Sequence, residues 1–153
     1  MSFLINPSFE GKEDHWVRIN YPNSTTLEFN PVLTPAGQPV PPKSGSLYLS
    51  LTSSQAAGSV GQDVVIPERL AAISAFAWVR AGDAGSVRGA LNIWQLDTDP
   101  DRAMSAPFVA DGEWSLVTST LDFPNPADRK TIRIEFYVLE PNKSLLVDSV
   151  NAF

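Results

Sequence analysis

The sequence predicts an all-β protein, a two-sheet antiparallel β-sandwich, and three observations carry that expectation. Apolar residues recur at a period of two rather than 3.6 in segment after segment. Turn-forming clusters interrupt them at short intervals, as at Pro22-Asn23-Ser24, Lys43-Ser44-Gly45, Asp111-Gly112, Pro124-Asn125-Pro126 and Pro141-Asn142-Lys143. No stretch shows a sustained helical pattern, and many short, punctuated strands are the signature of a sandwich.

The clearest alternation lies in three runs. Leu47, Leu49 and Leu51 alternate with Ser46, Tyr48, Ser50 and Thr52. Ile73, Ala75, Ala77 and Val79 alternate with Ser74, Phe76, Trp78 and Arg80. Ile132, Ile134, Phe136 and Val138 alternate with Arg133, Glu135 and Tyr137. Successive side chains of a strand point to opposite faces, so the first set of each run belongs to a core and the second to an accessible sheet face. Further strands are expected near 3–5, 16–20, 26–30, 59–66, 88–96, 113–121 and 144–152. Pro31 to Pro42 holds five of the 13 prolines and is expected to be an extended loop, because proline cannot donate to a ladder. Pro67-Glu68-Arg69-Leu70-Ala71 is the one place for a short helical turn.

At 153 residues the chain fits one domain, 1–153, with neither a repeat nor a boundary inside it. Without Cys it has no disulfide and no thiolate metal site. A net charge of −6 opposes binding to nucleic acid or to an anionic membrane, both of which need clustered Lys and Arg. No apolar run approaches the roughly 18 residues of a membrane span. Residues 1–7 lack the basic and long apolar regions of a secretory signal peptide. The chain is therefore either a piece of a longer exported protein, placed outside the cell, or begins at Met1 and does not use the ordinary secretory route.

Catalysis finds no support. His15 is the sole histidine and lies in a charged turn beside Asp14, which leaves no Ser-His-Asp arrangement and no histidine-rich metal centre. Asp97-Thr98-Asp99-Pro100-Asp101 copies the opening of an EF-hand, but Arg102 stands where Gly is needed and Phe108 where a bidentate Glu is needed. A solvated acidic loop accounts for it. Sugar binding is the chemistry that the aromatic residues suggest, because pyranose rings present apolar C–H faces to aromatic rings while polar side chains fix the hydroxyls. Trp94, Tyr137, Trp78 and Tyr48 are the aromatic candidates, with Asn92, Arg133, Glu135 and Arg80 as polar partners. The alternative is that these aromatics pack inside the second sheet. Trp16 and Trp114 are expected in the core.

Two end motifs frame the chain: Leu4-Ile5-Asn6-Pro7-Ser8-Phe9-Glu10-Gly11, with Trp16 shortly after, and Leu145-Leu146-Val147-Asp148-Ser149-Val150. Together they resemble the jelly-roll carbohydrate-binding modules of the family 4, 9 and 22 group, over nearly the whole chain. The resemblance implies jelly-roll connections and a non-catalytic module that binds a polysaccharide or cell-surface glycan. It also implies a structural Ca²⁺ between the chain ends, held by Ser8 or Glu10, a carbonyl near Gly45, and Asp148. The alternative for Glu10 and Asp148 is that they only accept hydrogen bonds from backbone amides. Xylan-binding members carry an Arg and a Trp soon after the strand that here ends at Thr52. This chain has Ser53-Ser54-Gln55-Ala56-Ala57-Gly58 there, so xylan or glucan specificity does not transfer. Jelly rolls of this kind also decorate bacteriophage capsids and tails, and a virion component leaves its host by lysis. A decoration or host-attachment domain contacting other virion proteins is therefore the competing expectation.

Overall fold

The computed structural model describes every residue except Met1, Asn30, Pro31, Val32, Pro35 and Glu68. Ten strands follow one another among the described residues: β1 (Val17–Arg18), β2 (Thr25–Glu28), β3 (Leu49–Ser53), β4 (Gly58–Ile66), β5 (Ala72–Ala81), β6 (Val87–Gln95), β7 (Arg102–Ala110), β8 (Ser115–Asp122), β9 (Lys130–Val138) and β10 (Ser144–Ala152). They form two five-stranded antiparallel sheets, ordered β1-β4-β9-β6-β7 and β2-β3-β10-β5-β8. This is the expected all-β sandwich. No helix occurs among the described residues, and none is long and apolar enough to cross a membrane.

The core fills the space between the sheets, and period-two patterning builds it. Ile132, Ile134, Phe136 and Val138 of β9, Leu91 and Ile93 of β6, Ile73, Ala75, Ala77 and Val79 of β5, and Leu145 and Val147 of β10 are all fully buried. Each sits one residue from an outward-facing neighbour, as a pleated strand requires. Trp16 closes one end of the core against Phe9, at 5.1 Å between ring centroids, and against Phe136 at 6.3 Å. Its indole Nε1 donates to the Asn6 carbonyl at 3.0 Å. Burying the ring there is possible because its polar edge finds a partner.

Several expectations need correction. No strand forms at 3–5. Gln62 takes the place of a ladder partner, its amide accepting from Ile5 N and donating to Ile5 O, both at 2.8 Å. The strand expected at 16–20 is two residues long, because Ile19 and Asn20 turn to bond Ser59. The strand expected at 26–30 runs Thr25–Glu28, and Asn30 lies outside the described residues. Leu47 precedes β3 and is only half-buried, unlike Leu49 and Leu51. Within Pro31 to Pro42 an isolated bridge pairs Leu33 with Pro39; Pro31, Val32 and Pro35 lie outside the described residues. The expected helical turn is absent at Arg69 to Ala71, with Glu68 likewise outside the described residues. The strand β7 was not expected at all. It is an edge strand, largely exposed on both faces and carrying Pro107, so neither alternation nor composition marks it.

Phe136 is enclosed on β9, at the centre of its sheet. Phe136→Ala is expected to cost about 3–5 kcal/mol of stability, measured as a lowered urea midpoint with an unchanged slope.

Candidate functional site

The outer face of the β1-β4-β9-β6-β7 sheet carries the candidate site, and strand register assembles it. Across the ladders Asn92 lies opposite Glu135 and Ser105, Trp94 opposite Arg133 and Ala103, Ala90 opposite Tyr137 and Pro107, and Asp63 opposite Arg133. Residues directly opposite share a face, so Trp94, Tyr137, Asn92, Arg133 and Glu135 form one contiguous surface. On the β7 side the neighbours of Trp94 and Asn92 are small, Ala103 and Ser105. A cavity of about 260 Å³ lies on this face, lined by Trp94, Arg133, Glu135 and Tyr137 of the sheet and by Ile19, Asn20, Leu96 and Asp101 around it. A second, of about 310 Å³, adjoins it through Ile19 and Arg133 and reaches His15, Val17, Gly61 and Asp63.

The polar groups of this cleft are held in place. Arg133 makes a two-pronged pair with Asp63, Nε to Oδ1 at 2.7 Å and Nη2 to Oδ2 at 3.0 Å. That hydrogen bond, more than any other influence, raises the guanidinium pKa and keeps it charged. Glu135 is 2% exposed, although it was expected on an accessible face. Its face is as expected; the Ile19–Asn20 segment folds over the sheet beside it, and its Oε1 accepts from Ser59 Oγ at 2.6 Å. Ser59 Oγ accepts in turn from Asn20 N at 2.9 Å, so a short relay replaces the water that the carboxylate lost. Burial first, then the hydrogen bond with Glu135, pushes the Tyr137 phenol well above its usual pKa, so it remains a neutral donor. The buried Asn92 Oδ1 has no hydrogen-bond partner among the described residues. Trp94 Nε1 is turned toward the Tyr137 hydroxyl, slightly easing its ionisation, without reaching hydrogen-bond geometry.

Three expected partners lie elsewhere. Trp78 and Arg80 are on β5, and Tyr48 immediately precedes β3, so all three belong to the outer side of the other sheet. Tyr48 is fully buried there, its hydroxyl donating to the Val40 carbonyl at 3.1 Å and its ring edge-on to Trp114 at 5.6 Å. This small cluster of Val40, Tyr48, Leu146 and Trp114 seals the Pro39 to Lys43 loop onto the sheet. Trp114 accordingly packs outside the main core, its Nε1 donating to the Pro41 carbonyl at 2.9 Å. Trp78 is capped by the Lys43 ammonium, 3.7 Å from a ring centroid. Alternation assigned Tyr48, Trp78 and Arg80 to an outer face and could not say of which sheet, whereas Trp114, expected in the core, lies outside it.

Glu10 and Asp148 do converge on one turn, as the end motifs imply. Glu10 Oε1 accepts from Ser46 N at 2.6 Å and Leu47 N at 2.9 Å. Asp148 Oδ2 accepts from Lys43 N at 2.8 Å and Ser44 N at 2.9 Å, and its Oδ1 from Ser149 N at 2.6 Å. Gly45 has φ +61°, a conformation that favours glycine, and a Cβ there would displace the Glu10 carboxylate that lies against it. Ser8 takes no part in these bonds. Burial raises the Asp148 carboxyl above the usual range; the amide bonds oppose this and the nearby Glu10 charge adds to it. Four turn amides point at the two carboxylates, which is the polarity of an anion cradle. As folded, the donor set suits hydrogen bonding rather than a cation, and no cluster of three His, Cys, Asp or Glu side chains suited to a metal occurs among the described residues.

No family model matches the sequence, and no curated protein is similar to it at a significant level. Solved structures are similar over nearly its full length. A family 61 carbohydrate-binding module in complex with β-1,4-galactotriose aligns with a TM-score of 0.62 and 13% identity, covering 100% of this chain and 98% of that one. The CBM22-1 xylan-binding domain of Paenibacillus barcinonensis Xyn10C aligns with a TM-score of 0.67 and 12% identity, covering 95% and 89%. Bacteriophage CBA120 tailspike protein 4 aligns with a TM-score of 0.67 and 12% identity, covering 99% of this chain and 21% of that one. The chain thus has the jelly-roll fold of the carbohydrate-binding modules that its end motifs resemble.

Proposed function

We propose that this chain is a non-catalytic module that binds a glycan in the cleft of the β1-β4-β9-β6-β7 sheet. One observation carries the reading: strand register brings Trp94, Tyr137, Arg133 and Glu135 onto one face around a cavity, with Asn92 on the same face opposite Glu135. In this role Trp94 and Tyr137 supply the ring faces. Arg133 donates to sugar oxygens, Tyr137, whose proton is directed at Glu135, accepts from a sugar hydroxyl, the buried Glu135 and Asn92 support these groups from beneath, and the Asp63 pair keeps Arg133 from collapsing into the space a sugar occupies. Trp78, Arg80 and Tyr48 take no part. An extracellular setting follows from such a role, and the bound partner is a polysaccharide or cell-surface glycan. The similarity to part of a phage tailspike supports the second reading, a virion domain using the same cleft for attachment. Stoichiometric recovery of the chain in phage particles distinguishes it.

Affinity electrophoresis against soluble galactans, xylans and glucans tests the cleft. Trp94→Ala is expected to weaken the retained polysaccharide by about ten- to a hundredfold, the equivalent of losing roughly 1.5–3 kcal/mol of buried aromatic surface, while Tyr48→Phe leaves it unchanged. Absence of retardation on every polysaccharide, or equal retardation of wild type and Trp94→Ala, removes the reading.

A structural Ca²⁺ at the Glu10–Asp148 turn is a further proposal, supported by the family resemblance and by the repulsion between two neighbouring carboxylates that a cation would offset. It requires the Lys43–Leu47 turn to present carbonyls where amides now point. A bound cation is expected to add about 2.7 kcal/mol at a hundredfold excess over Kd, seen as a calcium-dependent rise in Tm that EDTA abolishes. Equal midpoints in both solutions leave hydrogen bonding as the sole tie.

A further inference from the structure

A broad, open depression lies beyond the cleft. About 530 Å³ in volume, it is lined by Val65, Ile66, Pro67, Arg69 and Arg129. Val65 is two residues from Asp63 on the same face of β4, and its ladder partner Thr131 is two residues from Arg133. The cavity therefore begins one pleat, about 7 Å, past the Arg133–Asp63 pair. Two arginines on separate loops are drawn to it. Arg69 N donates to the Pro126 carbonyl, joining the loop after β4 to the loop before β9, and Arg69 holds φ +71°, an unfavourable conformation for a side-chain-bearing residue. Neither guanidinium has an ion pair or hydrogen bond among the described residues. Asp128, close to Arg129 in sequence, is bonded to Asn125 and lines a different cavity with Asp97.

Two cations lining one apolar depression, with no acidic partner among the described residues, stand out in a chain of net charge −6. They contrast with the cleft, where Asp63 already neutralises Arg133 and Asp101 and Glu135 add negative charge. We propose that this cavity binds the carboxylate of an acidic sugar unit, a uronic acid, whose neighbouring units occupy the cleft; the proposal rests on the glycan reading above. A planar carboxylate matches the guanidinium fork, and Val65 and Pro67 offer surface to the apolar side of the ring.

Calorimetric titration of the whole chain with an oligogalacturonate, and with the same oligomer after reduction of its carboxylates to alcohols, tests this. The acidic oligomer is expected to bind at least tenfold more tightly. The advantage is expected to shrink with added salt and to vanish in the double variant Arg69→Gln, Arg129→Gln, with melting unchanged. Arg69→Gly, which relieves the backbone, provides a second variant and is expected to lose part of the advantage. Trp94→Ala is expected to weaken both oligomers alike. Equal affinity for the two oligomers, an advantage that survives in the double variant, or tighter binding of a sulfated oligomer than of the carboxylated one overturns the proposal while leaving the cleft intact. Failure of both oligomers and of every neutral polysaccharide to bind sinks both.

Discussion

The register of β9 is the constraint on which both the core and the cleft depend. Its inward residues, Ile132, Ile134, Phe136 and Val138, are fully buried, and its outward ones, Arg133, Glu135 and Tyr137, are cleft residues. Because the side-chain period is two, a slip of one residue against β4 or β6 would send the charged set into the core and the apolar set to the surface. Unpaired carboxylate and guanidinium groups in the core would cost several kcal/mol each. The hydrophobic energy that fixes the register thus also fixes which atoms a ligand meets. The two-pronged Arg133–Asp63 bond reinforces this, since it crosses from β9 to the β4 residue directly opposite.

The Asn-x-x-Phe-Glu segment shows how a short motif can organise a chain end through three separate contacts. Asn6 Oδ1 accepts from Gly11 N at 2.9 Å, and its Nδ2 donates to the Lys12 carbonyl at 2.8 Å, closing a loop that contains Phe9 and Glu10. Phe9 enters the core, while Glu10 reaches out to the amides of the turn after Lys43. Asp148 reaches the same turn from β10, the middle strand of the other sheet. One turn therefore joins the N-terminal segment to a strand more than a hundred residues away. The like charges of Glu10 and Asp148 are tolerated because five amide bonds are directed at them.

Alternation made the strands around 73–80 and 132–139 legible, and with the latter the faces of Arg133 and Tyr137; the strand expected near 88–96 carries Asn92 and Trp94 on one shared face. It could not say to which sheet a strand belongs, since pairing is set by contacts distant in sequence. Tyr48, Trp78 and Arg80 were therefore grouped with residues on the opposite side of the molecule. Glu135 was placed on the correct face yet is buried, because its cover comes from Ile19 and Asn20, a segment whose path depends on Ser59. The edge strand β7 left no pattern, and Arg69 and Arg129 left none either: they are adjacent only because two loops are tied by one backbone bond.

The two regions of the outer face differ in how strongly the fold determines them. In the cleft, Trp94, Arg133, Glu135 and Tyr137 stand on central strands paired on both sides, so core packing and ladder hydrogen bonds hold each one. In the arginine cavity the side chains stand on loops, where position depends on a single tie and a strained residue. Loops can change sequence without disturbing the core, whereas a change on β6 or β9 alters both faces of a central strand. A module built this way keeps its platform for stacking and hydrogen bonding while the charge at the end of the groove can vary. The chemistry that discriminates between one glycan and another therefore has more freedom in the Pro67–Arg69 and Pro126–Arg129 loops than under Trp94.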